Sequence, residues 1–231
     1  SYLWVVFFFY FFFLMVRRPP RSPLFPYPPL FRSPCFLPLP EVQIFGGGVH
    51  AGGRVDIQDY MVTAIGADSF AQALEWTADV YRAAAGIMAE DGKLLGVADE
   101  GGLWPDFDSN EEALDVLMRA IEAAGLDPGR DMAISLDIAA SQFGSKGEYR
   151  LARDGRTLDS DGLSGLLVDW IERYPIVAVE DPMAEGDKEG MVRLTWAVGK
   201  RVQVIGDDFL VTRAERIRSE EHTSELQSHL N

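Results

Sequence analysis

Three short apolar runs in the second half of the chain each end on a carboxylate. Met132-Ala133-Ile134-Ser135-Leu136 runs into Asp137, Ile176-Val177-Ala178-Val179 into Glu180, and Val202-Gln203-Val204-Ile205-Gly206 into the pair Asp207 and Asp208. Each is short, rich in Ile and Val, and followed by a helical pattern, which is how a parallel strand covered on both faces reads. Elsewhere the apolar residues recur at helical spacing. A long amphipathic helix is predicted over 69–91, with Asp68 or Ser69 as N-cap and Phe70, Leu74, Thr77, Val80, Tyr81, Ala84, Ile87 and Met88 on its buried stripe. A second follows the capping box Ser109-Asn110-Glu111-Glu112, buries Leu114, Leu117, Met118 and Ile121, and stops at Gly125. A third over 161–174 presents Leu163, Leu166, Leu167, Trp170 and Ile171 before Pro175, and a fourth covers 188–198. Upstream, 55–61 alternates like a strand, and the polar stretch 144–156 reads as a hairpin. Strands spaced by helices of this length build βα units with right-handed crossovers, so the expected fold class is α/β, an incomplete (β/α) TIM-type barrel with a parallel sheet.

In such a sheet the strand ends share one rim, so Asp137, Glu180 and Asp207 are expected to converge from distant positions in sequence. Converging carboxylates repel one another unless a cation lies between them. A hard divalent ion with oxygen ligands, Mg²⁺ above all, suits that set. Two further stretches carry candidate chemistry. The loop Gly46-Gly47-Gly48-Val49-His50-Ala51-Gly52-Gly53 holds five glycines in eight residues and can fold closely over a ligand, though a flexible linker has the same composition. His50 alone reads as a surface histidine. In Ala98-Asp99-Glu100-Gly101-Gly102 an acidic pair sits on a tight turn, and a solvated turn is the plainer alternative.

Composition separates the ends from the middle. Residues 1–36 hold nine of the 14 Phe, seven of the 13 Pro, four Arg, no Asp or Glu, and the single cysteine, Cys35. The apolar run 1–16 is shorter than the ~20 residues of a spanning helix, and its charges follow it where a signal peptide has them in front. Residues 11–33 resemble the conceptual translation of a sequencing-library adapter, and 218–229 resemble the matching adapter of the opposite end. The expected division is therefore a non-native 1–36, a partial barrel domain at 37–217, and an adapter-like tail at 218–231. The whole chain carries −15, and its middle is more acidic still because 1–36 is purely basic. Such a surface repels nucleic acid and anionic lipid, so neither is an expected partner. Without cysteine the middle excludes disulfides and thiolate metal sites and suits a reducing cytoplasm. Its one histidine, His50, excludes His-rich zinc or iron sites.

Seven strings stand in one order along 37–217: Gly-Gly-Val-His-Ala, Val-Asp-Ile-Gln-Asp-Tyr-Met, Asp-Glu-Gly-Gly, Ser-Asn-Glu-Glu-Ala-Leu, Leu-Asp-Ile-Ala-Ala-Ser, Val-Glu-Asp-Pro and Gly-Asp-Asp-Phe-Leu-Val-Thr. Together they resemble the C-terminal barrel domain of the enolase (phosphopyruvate hydratase) family. The resemblance implies a lyase: Mg²⁺-dependent, reversible dehydration of 2-phosphoglycerate to phosphoenolpyruvate in glycolysis. It implies that Asp137, Glu180 and Asp207 hold Mg²⁺ and, through it, the substrate carboxylate. Glu100 is implied as the acid that protonates the departing hydroxyl, helped by Gln58 and Asp59, while His50 closes over the phosphate end. A homodimer or higher assembly is implied for the complete enzyme. The chain departs from the family where Asp59 replaces a usual Glu, Gly46 a usual Asn and Gln142 a common Glu. The family's proton-abstracting lysine lies on a later strand, and the lysines here are Lys93, Lys146, Lys188 and Lys200. The small domain preceding the barrel and its last strands are not in this sequence, so the chain alone is expected to be inactive. A related dehydratase or racemase, or a catalytically silent fragment with an interaction role, are the alternative readings.

Overall fold

After Pro40 the chain runs as strand β1 (Glu41–Gly46), crosses a glycine-rich connection, and returns as β2 (Asp59–Thr63). This computed structural model describes residues 38–210, so the expectations for 1–36 and for the 218–231 tail lie outside the described residues. Helix α1 (Phe70–Glu90) leads to the hairpin β3 (Leu94–Val97) and β4 (Leu103–Pro105), and α2 (Asn110–Ala123) leads to β5 (Ala133–Asp137). A small three-stranded sheet follows, β6 (Gly144–Ser145), β7 (Glu148–Leu151) and β8 (Arg156–Asp159), where the polar stretch predicted a hairpin. Then come α3 (Ser160–Arg173), β9 (Ile176–Glu180), α4 (Lys188–Val198) and β10 (Gln203–Ile205).

Each helix begins where a side-chain oxygen can accept an otherwise unpaired backbone N–H. Ser69 accepts from Gln72, Ser109 from Glu112, Asp159 from Gly162 and Asp187 from Gly190. The third cap lies two residues ahead of the predicted start, because Asp159 ends β8 and caps α3 at once.

The main sheet has seven strands in the order β10-β9-β5-β2-β1-β4-β3. Neighbours β5, β9 and β10 are parallel, as their apolar runs predict. Antiparallel strands join this parallel part on its other side. Strand β2 runs antiparallel to both β1 and β5, and β3 antiparallel to β4. The reason is the connection: no α-helix separates β1 from β2 or β3 from β4, and without a crossover helix the chain returns antiparallel. Strand β2 also starts later than its alternation suggests, since 54–58 is bent loop.

Side chains alternate between the two faces of the sheet. Tyr60 and Val62 of β2, Ile134 and Leu136 of β5 and Val179 of β9 join the helices' Val80, Ala84, Leu117, Ile121, Leu167 and Leu194 in one buried core. Phe45 reaches the same side past a bulge in β1 and meets Tyr60 and Phe107 edge-on, with ring centroids 6.4 and 5.2 Å away. The opposite face carries Asp59, Met61 and Thr63 of β2, Ser135 and Asp137 of β5, and Ala178 and Glu180 of β9. On this face Asp59, Asp137 and Glu180 stand together at one end.

A second polar cluster ties the loops together behind the sheet. Buried Asp56 accepts hydrogen bonds from Asn110 Nδ2 (2.7 Å), Ala152 N (2.9 Å) and Arg153 N (3.0 Å). Its own N–H donates to Asn110 Oδ1 at 2.7 Å, and Tyr60 OH donates to the Asn110 carbonyl at 2.9 Å. The β1–β2 connection, the start of α2 and the β7–β8 turn are held at one point. Among the described residues no helix is long and apolar enough to cross a membrane.

Candidate active site

The strand register builds the site. Gly46 lies opposite Asp59, Asp59 opposite Asp137, Asp137 beside Glu180, and Glu180 beside Ile205, two residues before Asp207. Four acids from four strands or their ends therefore share one rim. The backbone that leaves this rim is held in an unusual form: Ala139 has φ 45° and Asp181 φ 41°, left-handed values that cost energy in residues other than glycine. Local bonds hold both. Ala139 N donates to Asp137 Oδ1 at 2.9 Å. The Asp181 carboxylate accepts from the N–H groups of Asp207 (3.0 Å), Asp208 (2.7 Å) and Phe209 (3.2 Å), which fixes the loop that presents Asp207. The sequence reading passed over Asp181. Its signal was there: an acid between Glu180 and Pro182, at a strand end, has no room to be an ordinary surface residue.

A relay of amides joins the glycine loop to the acids. Val49 N donates to Gln142 Oε1 at 3.1 Å, and Gln142 Nε2 donates to Gln58 Oε1. Gln58 Nε2 in turn donates to Asp137 Oδ2 at 2.7 Å and to Asp59 Oδ2 at 3.3 Å. On its other side Asp59 accepts from Gln43, a residue that the sequence reading also missed. Gly48 makes the relay possible: at φ 48° it is left-handed, and a Cβ there would lie 2.5 Å from Gln142 Oε1. His50 stands in the short 3₁₀ turn Gly48–Ala51, with Nδ1 4.0 Å from Asp99 Oδ2. A positive charge on His50 would lower the Asp59 and Glu100 carboxyls. The candidates His50, Gln58, Asp59, Glu100, Asp137, Glu180 and Asp207 are thus brought to one region by strands and loops far apart in sequence.

Electrostatics at the rim are unfavourable without a counter-charge. Burial, then the charges of Glu180, Asp59 and Asp181, push Asp137 up to about 9. Burial, then Asp181, Asp207, Glu41 and Asp59, push Glu180 up to about 8. Asp59 is raised by burial against the opposing hydrogen bonds from Gln43 and Gln58. Glu100 is raised by partial shielding of its carboxyl and by the Asp59 charge. Desolvation and like charge act in the same direction in all but Asp59, and both would be reversed by a nearby cation. An all-oxygen donor set of this kind fits Mg²⁺ by its chemistry. The expected convergence of Asp137, Glu180 and Asp207 on one ion needs a correction in geometry: among the described residues no three His, Cys, Asp or Glu side chains are gathered closely enough to hold a metal. Asp137 meanwhile accepts from Gln58 Nε2 on one oxygen and from Ala139 N on the other.

Fold and rim together define an enzyme-type α/β barrel segment with its acids at the strand ends, where such barrels keep their chemistry. Residues 34–227 match the family described as enolase, C-terminal TIM barrel domain, and the chain belongs to that family, a family of lyases. It is 48% identical over 185 residues to a protein named Enolase 1 from Desulfitobacterium hafniense (strain Y51), an overlap that covers 79% of this chain and 42% of that protein. The chain spans less than half the length of the curated relative it matches.

Proposed function

We propose that the chain carries the cation-binding and proton-donating part of a phosphopyruvate hydratase site, which acts in glycolysis in the cytoplasm on 2-phosphoglycerate and phosphoenolpyruvate. The observation that supports this best is the row Asp59, Asp137 and Glu180 in register on adjacent strands, with Asp207 at its edge. Asp137, Glu180 and Asp207 would hold Mg²⁺, once Gln58 releases Asp137. Bound there, the ion supplies positive charge to stabilise the doubly negative species formed when a proton leaves the carbon beside a carboxylate. Glu100, whose carboxyl holds its proton more tightly than usual, gives that proton to the departing hydroxyl. The carbon–oxygen bond breaks with its electron pair on oxygen, and water leaves. Gln58 and Asp59 orient this end of the substrate, and His50 on its glycine loop meets the phosphate.

The base that takes the carbon-bound proton is not among these residues. Lys93 is engaged by Asp108 and Glu112, Lys146 lies in the β6–β7 turn, Lys188 opens α4, and Lys200 follows it. None stands at the end of a rim strand, so this chain by itself binds the ion and does not turn over. In the complete enzyme we expect a homodimer or higher assembly. Calorimetric titration of the purified chain with Mg²⁺ should show one saturable site that Asp137→Ala abolishes. No saturable binding by the unaltered chain would overturn the metal assignment, and Mg²⁺-dependent formation of phosphoenolpyruvate would overturn the assignment of inactivity.

A further inference from the structure

Gln43 is half-buried on β1, with Met61 of β2 as its cross-strand partner. Its amide oxygen accepts from Gly102 N at 2.8 Å. Its amide nitrogen donates to Asp59 Oδ1 and reaches to within 3.5 Å of Glu100 Oε2. The orientation has one solution, since a carboxylate can only accept and a backbone N–H can only donate. Two glycines clear the path of this side chain. A Cβ at Gly102 would lie 2.3 Å from Gln43 Oε1 and 2.8 Å from its Cδ and Cγ. One at Gly46 would lie 2.5 Å from the Ala98 Cβ and 3.3 Å from Gln43 Nε2. A single amide thus spans β2 and the β3–β4 turn, and contacts both of the acids proposed to handle the departing hydroxyl.

We infer that Gln43 is a positioning residue that clamps Asp59 to the turn bearing Glu100, and that its length is matched to the short reach of Asp59. The role given to the acids rests on the proposed function; the clamp itself rests on the contacts. Length matching follows from the two bonds that the amide makes at once, to Asp59 and from Gly102 N, which together fix its distance from β2. A methylene added at 59 drives its carboxylate into the amide, and a methylene removed at 43 gives the space back. The glutamine also answers a cost that would otherwise fall on the site, because a buried Asp59 without its second amide donor is left under-solvated.

The test uses the full chain and no turnover. Amide hydrogen exchange in Gln43→Ala should quicken about fivefold to tenfold at Gly102, the loss of one hydrogen bond, while amides of α3 stay unchanged. Asp59→Glu should lower Tm by about 2–4 °C, and adding Gln43→Asn should restore most of it. Should Gln43→Ala fold poorly, Gln43→Leu, which keeps the bulk and removes the amide, answers the exchange question. Unchanged exchange at Gly102 would overturn the clamp, and a double variant no more stable than Asp59→Glu would overturn the length matching. Mg²⁺ titration of the same variants separates the two readings. If the unaltered chain binds no Mg²⁺ while Gly102 still responds, the proposed function fails and the clamp stands.

Discussion

Asp56 and Asp59 are three residues apart, both buried, and they do opposite things. Asp56 is met by an asparagine amide and two backbone N–H groups, each a donor with no competing claim. Asp59 accepts from one glutamine amide on each of its oxygens and stands beside Asp137, in a row that continues to Glu180. Around Asp56 every charge is answered by the protein. At the rim the carboxylates face one another, and burial raises Asp59, Asp137 and Glu180. The difference teaches where fold ends and site begins: a buried acid surrounded by donors is a tie, and a buried acid surrounded by acids is a place kept for something positive.

The largest effect should come from the tie. Asp56→Ala leaves Asn110 Nδ2, Ala152 N and Arg153 N without an acceptor in a buried place, which should cost about 3 kcal/mol or more. Thermal unfolding should then show a Tm lower by about 6 °C or more. A shift within a degree of the unaltered chain would erase the contrast.

At the rim, pH should reveal the unanswered charge. Asp137 and Glu180 keep their protons to about 9 and about 8 in the folded chain. The unfolded chain releases the same protons near pH 4. Between those limits the native state binds more protons than the unfolded state, so its stability is greatest at low pH and falls as pH rises toward 9. We expect Tm to drop by about 4 °C or more from pH 5 to pH 8 without divalent ions, and saturating Mg²⁺ to flatten the slope. A flat profile without Mg²⁺ would show that the acids do not press on one another.

The smallest effect has the opposite sign. Glu180→Gln removes one of the repelling charges, so the cation-free variant at pH 8 should be about 1 kcal/mol more stable than the unaltered chain. Denaturant titration reads this directly, and a loss of stability would place Glu180 with Asp56 among the ties.

Much of the fold was legible because it follows from local patterns. The capping residues Ser69 and Ser109, the apolar stripes of α1 and α2 apart from Leu74, which is exposed, and the runs of β5 and β9 each carry their own signal within a dozen residues. Strand direction at β2 was not legible, because alternation is blind to direction and only the absence of an α-helix after β1 decides it. At the site the acids that end strands could be picked out, since a carboxylate closing an apolar run is conspicuous. Gln43 could not. A glutamine inside a strand carries no pattern, and its partners Asp59, Gly102 and Glu100 lie 16 to 59 residues away.

The sequence by itself determined the four helices, the parallel runs β5, β9 and β10, and that acids stand at the ends of buried strands. Those are matters of period, propensity and end signals, all local. Tertiary structure alone decided that Asp59, Asp137 and Glu180 form a row, that Asp181 holds the Asp207 loop through three backbone donors, and that Gln58 occupies Asp137. Register, strand direction and amide orientation settle these, and each depends on groups that meet only when the chain has folded.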